Sequence, residues 1–289
     1  MNEKVFLNGE IIPASQAKLS VFDAGFLHGA GLFETMRAYG GSVYRLDEHL
    51  DRLLKSAKEL AMPVTRDDKD SLYKAVVETL QANRLSEARL RLTVTRGDLH
   101  SDPDEQKVGT ILITASPLQP YPAEFYKKGM TAVLADSKVS SSDPIARHKS
   151  TNYLSRLLVL RKAQQLKAGE ALWFTELNHL AEGCISNVSL VKDGKLLTPS
   201  LAEPILPGIT RAAVLEVARA EKIAVSEQTL TIDDLLGAKE VFLTNSIMEI
   251  MPVCRIEKHA VGDEQPGPIT KRLAQLYQQD ISRKCRQDL

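Results

Sequence analysis

The chain has 289 residues, 43% hydrophobic and 26% charged, and its 37 basic residues balance its 37 acidic ones. A nucleic-acid-binding protein usually shows a basic excess, and a membrane span needs about 20 apolar residues in a row, so the sequence predicts neither class. The N-terminus has no basic segment followed by an apolar one, so we expect no secretory leader. A hydrophobic core rarely grows past about 250–300 residues, which favours two subdomains.

Cysteine and histidine spacing gives no sign of a metal site. Cys184, Cys254 and Cys285 lie far apart, and the six histidines lack HxxxH or HExxH spacing. An odd number of cysteines without a CxxC pair favours reduced thiols, so we expect a cytoplasmic protein without a disulfide framework or a bound metal.

Turn signals and helical periodicity organise the first part of the chain. Asn8-Gly9 and Gly40-Gly41 each separate two short extended runs, as in β-hairpins. The leucines from Leu46 onward recur at the helical period until Pro63 ends the helix. The elements predicted here are hairpins around 8–9 and 40–41, helices over 46–61 and 67–84, and strands over 88–95 and 110–116.

Three prolines within six residues (Pro117, Pro120 and Pro122) mark the best linker candidate. The elements predicted beyond it are strands over 130–136, 171–176 and 239–246, helices over 149–167 and 209–222, a hairpin over 185–200 and a polar helix from residue 268. The hairpins argue against a purely parallel sheet, and no GxGxxG motif is present. The sequence predicts a small α/β domain over 1–116, a linker over 117–129 and a larger α/β domain over 130–289.

Lys149 lies in ARHKSTNYL, where the sequence predicts the start of a helix. The positive end of a helix dipole, with Arg147 and His148 as neighbours, favours a neutral and nucleophilic amine, which a Schiff-base lysine needs. The alternative is a solvated surface charge.

Four other positions have two interpretations each. Glu182 lies at the edge of a strand or in a plain turn. Residues 208–210 open a helix that suits a phosphate, or Thr210 is an ordinary cap. Residues 244–246 close a buried strand, either lining a site or forming a turn. Arg52 on the polar side of its helix is, taken alone, an unremarkable arginine.

Six stretches, in order, cover most of the chain and together resemble the class-IV aminotransferase family of fold-type IV pyridoxal 5′-phosphate (PLP) enzymes. This family includes branched-chain and D-amino-acid aminotransferases and aminodeoxychorismate lyases. The stretches are DAGFLHGAGLFETMRAYGG (23–41), LDEHLDRLLKSA (46–57), ARHKSTNYL (146–154), LAEGCISNVSLVKDGKLLTP (180–199), ILPGITR (205–211) and EVFLTNSIMEIMPV (240–253).

The resemblance implies a role for each matched residue. Lys149 forms the Schiff base with PLP and moves the proton. Glu182 pairs with the pyridine nitrogen, and the protonated ring is the electron sink. Tyr153 faces the phenolic oxygen, although it follows the lysine by four residues where branched-chain enzymes have five. The residues implied for the 5′-phosphate are Arg52, Ile209, Thr210, Asn245 and Ser246.

The implied fold is mixed α/β with two domains, like D-amino-acid aminotransferases, with the cofactor between the domains. Family members are usually homodimers in which a neighbouring subunit's loop closes the site. Here that loop corresponds to the glycine-rich residues 24–31.

The motifs predict the subgroup less directly. The sequences after Glu182 and at Thr244 depart from the branched-chain pattern, and Asp98 stands where D-amino-acid enzymes have an arginine two residues before His100. Three motifs look most like those of aminodeoxychorismate lyases: GLFETMR with Thr35, EGxxSN and TNSxMxxxPV. In those lyases the threonine that matches Thr35 faces the substrate.

We therefore expect a lyase that releases pyruvate and 4-aminobenzoate from 4-amino-4-deoxychorismate, a step of folate synthesis. The alternatives are a transaminase for branched-chain L-amino acids or D-amino acids and, more remotely, a non-catalytic cofactor-binding protein. Arg37, Arg96 and Arg147 are candidates for substrate carboxylates, or else form ordinary ion pairs.

Overall fold

The structure, a computed structural model, describes residues 3–99 and 109–285. Contacts divide this part of the chain into two compact units. The first comprises residues 3–99, 109–119, 148–152 and 281–285, and the second 120–147 and 153–280. The sequence-based division assigned everything beyond residue 129 to the larger domain, whereas the stretch that carries Lys149 groups with the first unit.

The first unit is built on a six-stranded antiparallel sheet of the order β2-β1-β6-β5-β3-β4. Its strands are β1 (Lys4–Leu7), β2 (Glu10–Pro13), β3 (Gly31–Tyr39), β4 (Ser42–Val43), β5 (Ala88–Thr95) and β6 (Ile111–Pro117). The predicted turns are confirmed. Asn8 and Gly9 join β1 to β2 with φ of 48° and 103°, and Gly40 and Gly41 join β3 to β4 with φ of 60° and 89°. Positive φ at both central residues is what a type I′ turn requires.

One face of this sheet packs on two helices. The helices of the unit are α1 (Ala24–His28), α2 (Leu46–Glu59) and α3 (Lys69–Ala82), with 3₁₀ turns at Ala14–Gln16 and Arg66–Asp68. Leu46, Leu50 and Leu53 of α2 are buried in one core with Met36 of β3 and Leu92 of β5. Burial of this apolar face accounts for the helical period in the sequence.

The second unit contains a nine-stranded mixed sheet of the order β12-β11-β10-β13-β14-β7-β8-β9, with β15 paired to β14. Its strands are β7 (Met130–Leu134), β8 (Glu170–Phe174), β9 (Leu180–Gly183), β10 (Asn187–Lys192), β11 (Lys195–Pro199), β12 (Val225–Gln228), β13 (Glu240–Asn245), β14 (Glu249–Ile256) and β15 (His259–Ala260). The pairs β7/β8, β7/β14 and β11/β12 are parallel and the others antiparallel, which confirms that the sheet is not purely parallel.

The remaining helices are α4 (Ala123–Lys128), α5 (Leu154–Gln165), α6 (Ile209–Ala220), α7 (Ile232–Leu236) and α8 (Pro268–Lys284). The segment 117–129, predicted as a linker, includes the helix α4. The start of α5 corrects a sequence-based prediction, because this helix begins five residues after Lys149 rather than at it. In the described part of the chain, no helix is long and apolar enough to span a membrane.

Candidate active site

Lys149 lies in an extended stretch that pairs with β3. The backbone N–H of Phe33 donates to the carbonyl of Lys149 (2.8 Å), and Thr151 donates in turn to the carbonyl of Gly31 (2.9 Å). Because these backbone groups form hydrogen bonds with a neighbouring strand, the stretch does not form a helix. The helix α5 begins only at Leu154. The prediction that Lys149 occupies the first turn of a helix is therefore wrong, and the helix-dipole argument does not apply to it.

Side chains next to Lys149 attach this stretch to α2. His148 Nδ1 lies 3.0 Å from the hydroxyl of Ser56, and its Nε2 lies 3.6 Å from the carboxylate of Glu59. The Lys149 amino group lies 4.6 Å from the centroid of the Phe33 ring, within range of a cation–π contact. The backbone on both sides of the lysine is thus fixed within the first unit.

A buried ion-pair cluster joins Arg52 to β3. Arg52 donates from Nε and Nη2 to the two oxygens of Glu34, at 2.8 and 2.5 Å, and His49 Nδ1 lies 2.7 Å from the same carboxylate. Burial alone raises the pKa of Glu34, but Arg52 and His49 outweigh it and bring the pKa from 4.5 to about 2. Burial also lowers the pKa of His49, which favours its neutral form as the donor to Glu34.

Sequence reasoning selected Arg52 and missed Glu34 and His49. Two signals were available. Glu34 lies between the buried Leu32 and Met36 on the same face of β3. His49 precedes Arg52 by three residues on α2, so the two side chains lie on neighbouring positions of the helix surface. A carboxylate on a buried strand face needs a partner, and the helix that covers this face supplies two.

Glu182, at the end of β9, is a buried carboxylate with three donors. Arg156 of α5 donates from Nη2 to Oε1 at 2.7 Å. Oε2 accepts from the Leu206 N–H at 2.9 Å and from the Asn187 side-chain amide at 3.2 Å. The second unit therefore fixes the orientation of this side chain.

Tyr153 immediately precedes α5. Burial is the main cause that raises the pKa of its phenol to about 12, with the charge of Arg156 acting against this and that of Glu182 adding to it. The phenol is therefore protonated at neutral pH and able to donate a hydrogen bond.

A second buried carboxylate supports the turn between β9 and β10. Glu170 accepts from the backbone N–H groups of Ala171, Cys184 and Ile185 and from the Ser186 hydroxyl, at 2.8–3.3 Å. Burial raises its pKa in spite of these donors. It holds the turn that follows Glu182.

The start of α6 presents backbone N–H groups without a side-chain cap. Gly208 is the N-cap residue, Ile209 and Thr210 follow it, and no side chain of the described residues caps the helix. A Cβ atom on Gly208 would lie 1.9 Å from the side-chain oxygen of Asn187, so glycine is required by the close approach. Free N–H groups at a helix start are a general anion-binding device.

The end of β13 adds polar groups. The Thr244 hydroxyl is buried and has no hydrogen-bond partner within the described residues. Thr244 stands opposite Asn187 in the sheet, so the two side chains share one face. The Asn245 side chain instead stabilises its own turn, accepting from the N–H groups of Ile247 and Met248 at 2.9 and 2.8 Å, while Ser246 is half-buried.

The candidates for substrate binding are distributed over both units. Thr35 and Arg37 lie on the face of β3 opposite the core, and the Arg37 guanidinium lies 4.4 Å from the Tyr39 ring centroid and 3.9 Å from the carboxylate of Glu87. Arg96, in the first unit, donates to the carbonyl of Ala61.

Arg147, in the second unit, donates to the carbonyl of Ala202. His100 lies outside the described residues. Arg91 was not selected from the sequence, although it stands opposite Thr35 in the sheet and its guanidinium lies 3.7 Å from the centroid of the same Phe33 ring that Lys149 contacts.

Comparisons with known proteins identify the class of enzyme. The sequence profile of the family described as amino-transferase class IV matches residues 31–256. A Methanocaldococcus jannaschii protein, provisionally named a branched-chain-amino-acid aminotransferase, is 39% identical and aligned over 97% of both chains. The D-alanine aminotransferase of Listeria monocytogenes is 33% identical over 98% of this chain and 97% of its own.

The crystal structure of the Escherichia coli branched-chain amino acid aminotransferase superposes with a TM-score of 0.89, at 32% identity, over 95% of this chain and 93% of that one. The chain belongs to the class IV aminotransferase family, and it is an enzyme of that family. The predicted mixed α/β fold is confirmed, and it contains two sheets. These comparisons favour the transaminase alternative over the lyase that the motifs had suggested.

Proposed function

We propose that this protein is a PLP-dependent amino-acid transaminase. Class IV aminotransferases use PLP. The observation that carries the proposal is Glu182, a buried carboxylate held by three donors, as a protonated pyridine nitrogen requires of its partner. The uncapped start of α6 and the orphaned hydroxyl of Thr244 suit a phosphate on the same unit.

PLP supplies an electron sink for negative charge at the substrate Cα. In the proposal, Lys149 anchors the cofactor and carries the proton to and from that carbon. Glu182 holds a proton on the ring nitrogen, and Tyr153 donates to the phenolic oxygen. The proposed phosphate ligands are Arg52, Ile209, Thr210 and Ser246, with Thr244 added from its buried hydroxyl. Asn245 is proposed to belong to the same phosphate site by holding the turn that presents Ser246.

The Glu34 cluster prepares Arg52 for that role. Two parallel hydrogen bonds to a fixed carboxylate restrict the guanidinium to one plane, so less rotamer entropy remains to be lost when an anion binds. Glu34 also compensates a buried positive charge, which stabilises the unit before the cofactor arrives.

Branched-chain L-amino acids are the first candidate substrates, because the 39%-identical relative bears that name and the superposed structure is such an enzyme. D-amino acids are the second candidate, because the Listeria relative is 33% identical over nearly the whole chain. For the lyase reaction, Thr35 and the motif likeness remain the only support. We propose that the substrate carboxylate is bound by one of four arginines: Arg37, Arg91, Arg96 or Arg147.

One panel of assays separates these reactions. Purified protein loaded with PLP is incubated with 2-oxoglutarate and either L-leucine, L-isoleucine, L-valine or D-alanine, and glutamate formation is measured. The same sample is tested with 4-amino-4-deoxychorismate for fluorescent 4-aminobenzoate. We expect turnover of an amino acid and no aminobenzoate. Aminobenzoate without glutamate contradicts the proposal, and cofactor binding without any turnover indicates the non-catalytic alternative.

A homodimer is proposed from exposed apolar residues in each unit. Val21, Phe22 and Phe26 are 62–72% exposed in the first unit, where the helix α1 occupies the first part of the segment 24–31 for which a loop was expected. Leu154 of α5 is 70% exposed in the second unit. Apolar side chains concentrated in this way mark interaction surfaces. Analytical sedimentation at micromolar protein concentration tests the proposed homodimer. A monomer that binds PLP and catalyses turnover at the normal rate contradicts the proposal.

A cytoplasmic location is proposed from the cysteines. All three are buried free thiols, as is usual in a reducing compartment. Fluorescence imaging of a tagged chain in its own cells tests the location.

A further inference from the structure

Arg156 of α5 is placed to control the carboxylate that the proposed function assigns to the ring nitrogen. Its Nη2 lies 2.7 Å from Glu182 Oε1, and its Nη1 donates to the carbonyls of Gly183 and Cys184 at 3.0 and 3.4 Å. The guanidinium also lies 5.9 Å from the centroid of the Trp173 ring. One arginine thus connects α5 to the carboxylate, to the turn behind it and to β8.

The donors around Glu182 leave little freedom to its carboxylate. Arg156 holds Oε1, and the Leu206 N–H and the Asn187 amide hold Oε2. An ionised carboxylate has about four lone-pair directions, so three are used and one is left for a further donor. The Glu182 carboxylate can therefore accept one more hydrogen bond, in one direction, and a protonated ring nitrogen can donate it.

Arg156 is the charged partner of the buried Glu182 carboxylate. Burial lowers the pKa of Arg156, but the nearby Glu182 charge outweighs this and raises it, so the guanidinium stays charged. A buried carboxylate needs a charged partner, and the guanidinium at 2.7 Å supplies it. Without Arg156, Oε1 of Glu182 loses its donor, and the carboxylate is free to turn away from the ring nitrogen.

We infer that Arg156 is a positioning residue, which holds Glu182 in the orientation that lets its carboxylate accept the hydrogen bond of the protonated ring nitrogen in the bound cofactor. This inference rests on the proposed function, because it takes Glu182 as the ring-nitrogen partner. It adds a residue that the motif comparison did not select. The signal in the sequence is weak: Arg156 follows Tyr153 by three residues, and nothing local ties it to Glu182.

The test measures the ring nitrogen directly. PLP labelled with ¹⁵N in the ring is bound to the wild-type protein and to Arg156→Gln, Arg156→Lys and Arg161→Gln, and the ¹⁵N chemical shift is recorded between pH 6 and 9. Arg161 is an exposed arginine on the same helix and serves as the matched control. Circular dichroism checks folding, because Trp173 lies too close to Arg156 for its fluorescence to serve as an independent measure.

We expect a protonated ring nitrogen in the wild type and in Arg161→Gln, a shift toward the neutral nitrogen in Arg156→Gln, and an intermediate shift in Arg156→Lys. A lost hydrogen bond to a charged group corresponds to about a 10- to 100-fold lower kcat, and KM is expected to stay within about threefold. If Arg156→Gln does not fold, the Arg156→Lys variant tests the inference by itself. Lysine keeps the positive charge but lacks the two-pronged donor geometry of the guanidinium.

Two failures are distinguishable. A wild-type protein that binds no PLP overturns the proposed function and the inference together. A wild type with a protonated ring nitrogen, together with Arg156 variants that keep the same ¹⁵N shift and kcat and lose only stability, overturns the inference alone and leaves Arg156 a structural residue.

Discussion

Replacing Glu34 by Gln is expected to destabilise the first unit more than any exposed carboxylate change. Glu34 is fully buried and accepts from both Arg52 and His49. The amide keeps the volume but removes the charge, so the Arg52 guanidinium loses its buried counterion. Breaking one half of a buried ion pair typically costs about 3–5 kcal/mol.

The pKa of Glu34 gives an independent magnitude. It falls from 4.5 to about 2 on folding. At 1.36 kcal/mol per pKa unit, this difference corresponds to about 3 kcal/mol at neutral pH. Because the folded-state pKa is the lower one, the contribution is complete above pH 4.5 and is lost as the pH falls through about 2.

Hydrogen exchange is the suitable assay because the chain has two compact units and its single tryptophan, Trp173, lies in the second. Amides of β3 and α2 are expected to lose about 3 kcal/mol of protection in Glu34→Gln at pH 7. The control is Glu78→Gln, at an exposed position of α3, which is expected to change protection by less than about 0.5 kcal/mol. Equal protection in the two variants would refute the assigned ion pair.

Three further predictions concern the cofactor and the dimer. Gly208→Ala forces the new Cβ against Asn187, and about 1–3 kcal/mol of overpacking is expected to weaken PLP binding about 5- to 150-fold. Unchanged affinity in a fluorescence titration speaks against the α6 phosphate site. Thr244→Val removes the buried hydroxyl that has no partner within the described residues, so PLP affinity is expected to fall about tenfold. The apoprotein is expected to keep or gain stability, and a destabilised apoprotein means that the hydroxyl has another partner. Phe26→Asp places a charge on a 72%-exposed apolar position, and sedimentation is expected to shift toward monomer; an unchanged dimer excludes Phe26 from the interface.

The periodic parts of the fold were predictable from sequence. The helix α2 and the hairpin around Asp193-Gly194 formed as predicted, because each has one buried apolar face and a turn with the required backbone angles. The strands β9, β12 and β14 were not predicted, because none of them shows the strict alternation of apolar and polar residues that is typical of a half-buried strand.

The site was predictable only through the family resemblance and only for single residues. Lys149 was identified, but its helical setting was wrong, because pairing with β3 overrides the local helical pattern. Glu34, His49 and Arg156 were missed for a common reason. Each takes its role from a partner that is distant in sequence, and one chain alone carries no record of such pairs.

The central claim is that Lys149 anchors PLP, and reductive labelling tests it most directly. The PLP-loaded protein is treated with borohydride, digested and examined by mass spectrometry, with Lys149→Ala as the control. We predict a pyridoxyl adduct on the peptide that contains Lys149 and no adduct in the variant. An adduct on another lysine, or a protein that takes up no PLP, would contradict the account.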